Sequence, residues 1–142
     1  MPSKGKPQPH SYAQFLTFLE QNPNINFSST NWNDDEIISE MNWKGLTKQK
    51  DSIIKLAQAY QRLQQLLPPE KRELILSLLK ENINSAIQIA SIPKAKFFDT
   101  YASLFGGDIQ LLESFYSKAM AVRTRLLLQH MQKVQNSKTS VL

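Results

Sequence analysis

The amino-acid sequence predicts an all-α protein, folded as a compact orthogonal bundle of six to seven helices that ends in a long C-terminal helix. Apolar residues recur at spacings of three and four, as on the buried face of a helix. The chain has four glycines, too few for the tight turns of an all-β fold, and most of its seven prolines lie between the periodic segments. Its 142 residues can bury one core. We therefore expect a flexible tail over 1–10, a single helical domain over 11–135 and a frayed C terminus over 136–142.

Seven helices follow from this periodicity and from the residues that interrupt it. Two of them end at Asn22-Pro23 and at Pro68-Pro69, because proline removes a backbone donor and clashes with the preceding turn. The predicted helices cover 12–21, 34–41, 47–67, 69–80 with Pro69 in its first turn, 85–90, a segment from Pro93 to just before Gly106, and 109–135. The irregular segment between the first two helices is expected to be anchored on the core by Ile25, Phe27 and Trp32.

Capping signals and apolar stripes complete the assignment of elements. Thr47, Ser91 and Asp108 are the expected N-caps, and Gly106-Gly107 is a C-cap and turn signal. The last helix is predicted to bury one stripe along its whole length. The members of this stripe are Ile109, Leu112, Phe115, Tyr116, Ala119, Val122, Leu126, Leu127, Met131 and Val134.

Residues 74–127 have the outline of a helix-hairpin-helix unit: a helix, a short turn, a short helix and an aromatic helix. DNA-binding hairpins of this type use a glycine-flanked turn, so that backbone N–H groups approach phosphate. The turn Asn82-Ile83-Asn84 has asparagines at those places. Asparagine tolerates the left-handed conformation, but its side chain leaves less room for a phosphate to approach the backbone N–H groups. DNA binding by this turn is therefore the weaker interpretation.

No catalytic, cofactor-binding or metal-binding constellation is predicted, and the chain is not expected to be an enzyme or to need a cofactor. Each of the two histidines, His10 and His130, lacks a second ligand at helical spacing. The acidic run at 34–36 lacks the alternating oxygens and the glycine of a calcium loop. The absence of cysteine excludes disulfides and cysteine-ligated zinc.

The net charge of +5 is distributed unevenly. Residues 11–40 carry five acids and no base, whereas 41–66 and 111–142 each carry five bases and one acid. This pattern favours charge complementarity within the protein first and a nucleic-acid surface second. The nucleic-acid alternative would use the basic helices over 44–62 and 118–133, with Lys44, Lys48, Lys50, Lys55, Arg123, Arg125 and Lys133.

The N-terminal segment and the hydropathy pattern bear on location. Residues 1–10 are polar and lack the apolar stretch of a signal peptide. No apolar run approaches the roughly 18 residues of a membrane-spanning helix. We expect a soluble protein that is cytoplasmic or is exported by a dedicated machine.

Four short motifs occur in a fixed order over residues 15–135. They are FL and NPNINF within 18–27, YQRL and LLP within 60–68, NINSAIQIASIP with FF within 82–98, and GG followed by FYSKA within 106–119. Together they resemble a helical segment of large Tc-toxin A-subunit-like proteins, including the Salmonella virulence-plasmid A type. The resemblance implies a helical building block of a secreted, pore-forming or injection-associated assembly, without chemistry of its own. It also implies fold-determining roles for Tyr60, Gln61, Arg62, Ser85, Ala86, Pro93, Gly106, Gly107, Tyr116, Lys118 and Ala119.

The function predicted from these observations is that of a non-catalytic helical scaffold or protein-interaction domain of a toxin-like or injection-system-associated bacterial protein. Its expected partner is another protein or the rest of a larger assembly, and nucleic acid is the less favoured partner. The last helix is the expected docking surface, because basic residues flank an apolar stripe that continues beyond the core. The interaction residues assigned there are Lys118, Arg123, Arg125 and Lys133.

Overall fold

Helices account for every regular element in the part of the chain that the structure, a computed structural model, describes: residues 11–140, with side chains over 11–136. The all-α prediction is confirmed, and the long last helix is present. The tail predicted over 1–10 lies outside the described residues. The elements are α1 (Tyr12–Gln21), α2 (Asp35–Ser39), a 3₁₀ turn (Thr47–Gln49), α3 (Lys50–Gln64), α4 (Arg72–Lys80), α5 (Ala86–Ala90), α6 (Lys94–Tyr101) and α7 (Ile109–Ser140).

Backbone contacts divide the chain into two compact units, with the division between Asn84 and Ser85. The first unit contains α1 to α4, and the second contains α5 to α7. The single domain over 11–135 stays a prediction. The helix-hairpin-helix-like unit over 74–127 also stays a prediction, because it crosses the division.

The core of the first unit is built from aromatic side chains around α3, which packs against both α1 and α4. Phe18 stacks on Trp43 with ring centroids 4.6 Å apart, and Phe27 lies 4.3 Å from Tyr60. Aromatic pairs of this kind contribute about 0.5–1.5 kcal/mol beyond the area they bury. The indole N–H of Trp43 donates to the carbonyl of Ile38 at 2.7 Å, so this buried polar group is satisfied.

The irregular segment between α1 and α2 is held in place by side chains of its own and by one amide from α3. Phe27 and Trp32 are buried as predicted, whereas Ile25 is only half-buried. The side-chain amide of Gln61 donates to the carbonyl of Phe27 at 2.6 Å and to that of Thr30 at 3.0 Å. These bonds satisfy backbone groups for which a segment without regular structure offers few partners.

Helix α4 ends in a Schellman motif, in which asparagine takes the place usually filled by glycine. Asn82 has a φ of 64°, in the left-handed region. Its N–H donates to the carbonyl of Leu79 at 2.9 Å, and the N–H of Ile83 donates to that of Leu78 at 2.9 Å. Ile83 is fully buried. The tolerance of asparagine for this backbone conformation, expected from the sequence, is thus used to end the helix.

The second unit is held together by contact between α5 and α7 and by an aromatic cluster. Phe97 is fully buried, with its ring 6.1 Å from that of Phe115 and 5.5 Å from that of Tyr116. The hydroxyl of Tyr116 donates to the carbonyl of Ile92 at 2.6 Å, which ties α7 to the connection between α5 and α6.

The predicted start of the third helix at Thr47 is wrong. Thr47 begins a single 3₁₀ turn that is closed by a hydrogen bond from the N–H of Gln49 to the carbonyl of Leu46 at 3.0 Å. The α-helix begins only at Lys50, and the hydroxyl of Thr47 caps nothing. A tight turn of this kind often precedes an α-helix and carries the same composition, so local sequence does not separate the two.

Two further helix-start assignments also fail. Pro69 lies in a turn that the N–H of Lys71 closes on the carbonyl of Pro68 at 3.1 Å, so α4 begins at Arg72 and not at 69. Ser91 follows α5 as its C-cap, and its hydroxyl donates backwards to a carbonyl of α5 at 2.6 Å. It therefore does not cap α6.

Candidate docking surface on the C-terminal helix

Helix α7 begins at a tight turn made by two glycines and an aspartate. Gly106 and Gly107 have φ values of 64° and 76°, a backbone region in which a side chain is strained. Asp108 then accepts a hydrogen bond from the N–H of Leu111 at 3.0 Å, which confirms the predicted cap. The turn and the cap together fix the residue at which the helix starts.

The first three turns of α7 form part of the core of the second unit, as the apolar spacing predicts. Leu112, Phe115 and Ala119 are completely buried. On the surface of the same turns, Glu113 forms an ion pair with Lys94, in which Oε1 and Nζ are 2.6 Å apart and both side chains are about half exposed. Such an exposed pair contributes little, about 0–1 kcal/mol.

The predicted stripe is wrong for distal α7, by which we mean residues 120–136. Leu127, Met131 and Val134 are 47%, 63% and 42% exposed, although the sequence assigned them to the core together with Leu126, and Ile109 is also exposed. The reason is length. Helices α5 and α6 have 5 and 8 residues, roughly 8 and 12 Å, whereas the 32 residues of α7 extend for about 48 Å. Helices α5 and α6 are therefore too short to cover α7 along its whole length.

Four of the exposed residues share one sector of distal α7, which we call the apolar stripe: Met120, Leu127, Met131 and Val134. At about 100° per residue, their spacings of seven, four and three place them within about 60° of helix surface. Leu126 and Leu128 lie roughly 100° to either side of Leu127 and are 40% and 57% exposed. The apolar surface of distal α7 is therefore broader than the narrow seam of a two-stranded coiled coil.

The four predicted interaction residues all lie on α7, but they do not converge on one face. Lys118 and Arg125 are exposed and share one side of the helix, separated by about 20° of rotation. Arg123 is half-buried and lies nearly opposite Arg125, beside the apolar stripe. Lys133 is exposed between these two directions. Three of the four cations therefore face away from the apolar stripe, and Arg123 alone lies beside it.

The basic residues outside α7 that the sequence assigned to a nucleic-acid surface are not all free to contact a phosphate backbone. Lys44, Lys48 and Lys55 are exposed, but Lys50 is half-buried, with its ammonium 5.3 Å from the centre of the Trp43 ring. A cation held over an indole face gains interaction energy there. Lys50 is consequently less free to follow a phosphate backbone than an exposed lysine.

The charge of the whole chain is concentrated after Glu113. Residues 1–113 contain twelve lysines and arginines and all twelve aspartates and glutamates, so they are formally neutral. Residues 114–142 contain the remaining five cations and no acid. Distal α7 is therefore the region of the described chain with the most exposed large apolar side chains, and it also carries three cations and no acid.

Two depressions of about 490 and 570 Å³ lie along distal α7. The described residues that line them lie on α7, with His130 common to both and Lys133 and Met131 in one each. No group of three or more His, Cys, Asp or Glu residues close enough to hold a metal ion occurs among the described residues.

Most of the residues that the family resemblance marked as fold determinants are buried, form a hydrogen bond to the backbone, or lie at the start of a helix. Tyr60, Ala86, Tyr116 and Ala119 are buried. The others with a visible role are Gln61 and Arg62, which bond backbone carbonyls, Ser85, which caps α5, Pro93, which immediately precedes α6, and Gly106 and Gly107, which form the turn before α7. Lys118 differs, because it is exposed, and its position agrees better with a role on the surface.

The sequence predicted that the apolar stripe of the last helix continues beyond the core, but it did not identify the residue at which burial ends, although one signal for it was present. Three consecutive leucines at 126–128 point in directions about 100° apart and cannot all face the core of a small helical unit. A helix that is apolar on several sides either passes through a large core or has further partners.

Comparisons with protein-family models, with curated proteins and with solved structures gave no match to this chain. Across the described residues, every helix falls short of the combined length and apolar character needed to cross a membrane.

Proposed function

We propose that this chain is a non-catalytic helical scaffold or protein-interaction domain and that distal α7 is its docking surface. One observation carries the proposal: of the ten large apolar side chains most exposed among the described residues, seven lie on α7 and six of these lie between 120 and 134. Contiguous exposed apolar surface of this kind is typical of interaction sites. Complete burial of such a side chain contributes about 1.5–3 kcal/mol, from which the cost of association must be subtracted.

The cellular setting in this proposal is a toxin-like or injection-system-associated bacterial protein. It is supported by the ordered motifs over 15–135 that resemble Tc-toxin A-subunit-like proteins. Genes for sheath, tube or toxin subunits beside the gene for this chain would support the setting. A neighbourhood of unrelated housekeeping genes would count against it.

The docking surface can be tested with two double variants that change charge equally. Leu127→Glu with Met131→Glu places carboxylates in the apolar stripe, whereas Gln129→Glu with Gln132→Glu places them on an exposed polar side of the same helix. Each variant would be used as bait in lysates of the source cells, with bound proteins quantified by mass spectrometry. Circular dichroism would verify that both remain folded.

The expected result is loss of specifically bound protein with the stripe variant and retention with the glutamine variant. Burying a carboxylate in an apolar interface costs several kcal/mol, so the loss should exceed about tenfold. Equal recovery of all bound proteins by the stripe variant and by the wild type would refute distal α7 as the docking surface.

A second candidate function is nucleic-acid binding, favoured by the concentration of all net positive charge after Glu113. Phosphate contacts release counterions, so binding should fall steeply between about 50 and 200 mM salt. A gel-shift titration with duplex DNA and single-stranded RNA at ~50 mM salt tests it under the most favourable conditions. Absence of a shift under these conditions removes this candidate.

A further inference from the structure

Two segments of this chain carry opposite charge of equal size. The acidic segment, residues 11–40, has five acids and no base, and residues 114–142 have five bases and no acid. Four of the acids, Glu20, Asp35, Glu36 and Glu40, are exposed. Each segment therefore carries charge of a single sign.

No residue of either segment forms an ion pair among the described residues of its own unit. The ion pair between Lys94 and Glu113 is the one that occurs among the described residues, and it involves neither segment. The acidic segment also exposes two large apolar side chains, Leu16 at 37% and Ile37 at 38%. Like distal α7, it combines charge of a single sign with apolar surface in contact with solvent.

We infer that distal α7 docks on the acidic segment of a second copy of this chain. This inference rests on the proposed function, for which it supplies the partner. Opposite charges on the two surfaces would guide the encounter and select the partner. Burial of the apolar stripe would then supply most of the affinity. The helix diameter of about 10–12 Å is close to the Debye length of ~8 Å at physiological salt, so the cations on the side of α7 away from the stripe still contribute to the attraction.

Other occupants of distal α7 fit these observations less well. Pairing α7 with α7 of another copy would bring two segments of five positive charges together, which is unfavourable. Nucleic acid would contact the cations but leave Leu127, Met131 and their neighbours exposed. The acidic segment complements both the charge and the apolar character of distal α7.

The contact joins two different surfaces, so it is heterologous. Contacts of this type close into a small ring, or exchange mutually in a dimer, when the geometry allows, and otherwise form open chains. In each case the mass of the particle exceeds the 16.3 kDa of one chain at sufficient concentration.

The test uses two charge-reversed variants of the full chain, studied by sedimentation velocity. The first carries Lys118→Glu, Arg125→Glu and Lys133→Glu, all at exposed positions of α7. The second carries Asp35→Lys, Glu36→Lys and Glu40→Lys, also at exposed positions. Asp34 is left unchanged because its carboxylate caps α2. Thermal melts verify that both variants fold.

Wild-type protein is expected to self-associate at low salt, with weakening of about tenfold or more at ~0.5 M salt, where charges are screened. Each variant alone should remain monomeric, because its two surfaces now carry charge of the same sign. Mixing the two variants should restore association, since the unchanged basic α7 of the second can dock on the unchanged acidic segment of the first. Glu replacement of Leu127 and Met131 in the wild type should also weaken association.

Monomeric wild-type protein at every concentration and salt, or a mixture of the variants that stays monomeric, overturns the inference. These failures are separate from failure of the proposed function. If the wild type is monomeric but the stripe variant still loses a protein captured from the lysate, distal α7 is a docking surface for another partner. If the stripe variant also captures the same proteins as the wild type, both the docking function of distal α7 and the inferred contact between copies are refuted.

Discussion

Gln61 shows how a single amide can fix a segment without regular structure. Its side chain donates to the carbonyls of Phe27 and Thr30 from the last turn of α3, across a sequence separation of more than thirty residues. The neighbouring Tyr60 packs its ring on Phe27. The pair therefore holds the loop by one polar and one apolar contact from adjacent positions.

We predict that Gln61→Glu lowers the free energy of unfolding by about 1–3 kcal/mol at neutral pH. A carboxylate has the same shape as the amide but cannot donate, so two partly buried carbonyls lose their partner. Gln58→Glu on the same helix is the control, because Gln58 makes one long bond of 3.4 Å at the surface. Urea denaturation of both variants provides the measurement, and equal effects would contradict the assigned role of Gln61.

Tyr12 gives the fold a dependence on alkaline pH. Its hydroxyl donates to the carbonyl of Leu76 at 2.9 Å. Burial, reinforced by the negative charge of Glu73, raises the pKa of Tyr12 above its ordinary value of 10.0. Because the pKa is higher in the folded state than in the unfolded chain, the neutral phenol stabilises the fold below about pH 10.

The stability contributed by Tyr12 should therefore be lost as pH rises through its raised pKa. Tyr12→Phe removes this ionisation, so its free energy of unfolding should fall less than that of the wild type between about pH 8 and pH 11. Urea titrations at both pH values measure the difference. Burial also raises the pKa of Tyr60. Because Tyr60 is present in both proteins, its contribution to the pH dependence cancels in the comparison. Parallel decline of the two proteins would be evidence against this account.

At the scale of elements, helix α7 divides into a half that is buried in the core of the second unit and a half that is exposed. Phe115 on the first half is fully buried, whereas Leu127 on the second is 47% exposed. The same periodic pattern runs through both halves. Burial alone distinguishes them.

We predict opposite outcomes for alanine substitution in the two halves of α7. Phe115→Ala should cost about 3–5 kcal/mol, because it removes a buried ring and leaves a cavity. Leu127→Ala should change stability by no more than about 0.5 kcal/mol, since the side chain lies on the surface of the monomer. Thermal or chemical denaturation at low protein concentration checks both. A large loss with Leu127→Ala would mean that distal α7 belongs to the core.

The sequence predicted the presence of the helices better than their bounds or the fate of their apolar faces. Helix α1 begins and ends where proline and periodicity place it. The starts at Thr47 and Pro69 fail because a 3₁₀ turn and a proline turn look like a helix start in local sequence. The predicted burial of distal α7 fails because periodicity identifies an apolar face but does not show which other element covers it. The length of α7 relative to α5 and α6 decides that.

Across the whole chain, net charge and buried core are carried by different stretches of sequence. All of the net charge lies after Glu113, and residues 1–113 balance to zero. The aromatic cores of the two units use side chains before residue 120. The regions that supply stability and net charge therefore lie in different parts of the chain.

A chain shortened after Arg125 should keep its fold. The side chains removed within the described range are exposed, so we expect the thermal midpoint to change by no more than about 4–8 °C, equivalent to roughly 1 kcal/mol. A chain shortened after Tyr116 is the contrasting case, because it loses the completely buried Ala119 and the support of the following turns. Differential scanning calorimetry distinguishes the two. Similar melting of both shortened chains would contradict the division of α7.

The uninterrupted backbone of α7 also has a mechanical consequence. No glycine or proline occurs between Ile109 and Ser140, so nothing in the sequence introduces a hinge. Whatever binds near Leu127 is held at a set spacing from Phe115, about 18 Å along the axis, as if at the end of a rigid spacer. A pull or a twist applied to that end would be transmitted to the aromatic cluster of the second unit and not absorbed on the way.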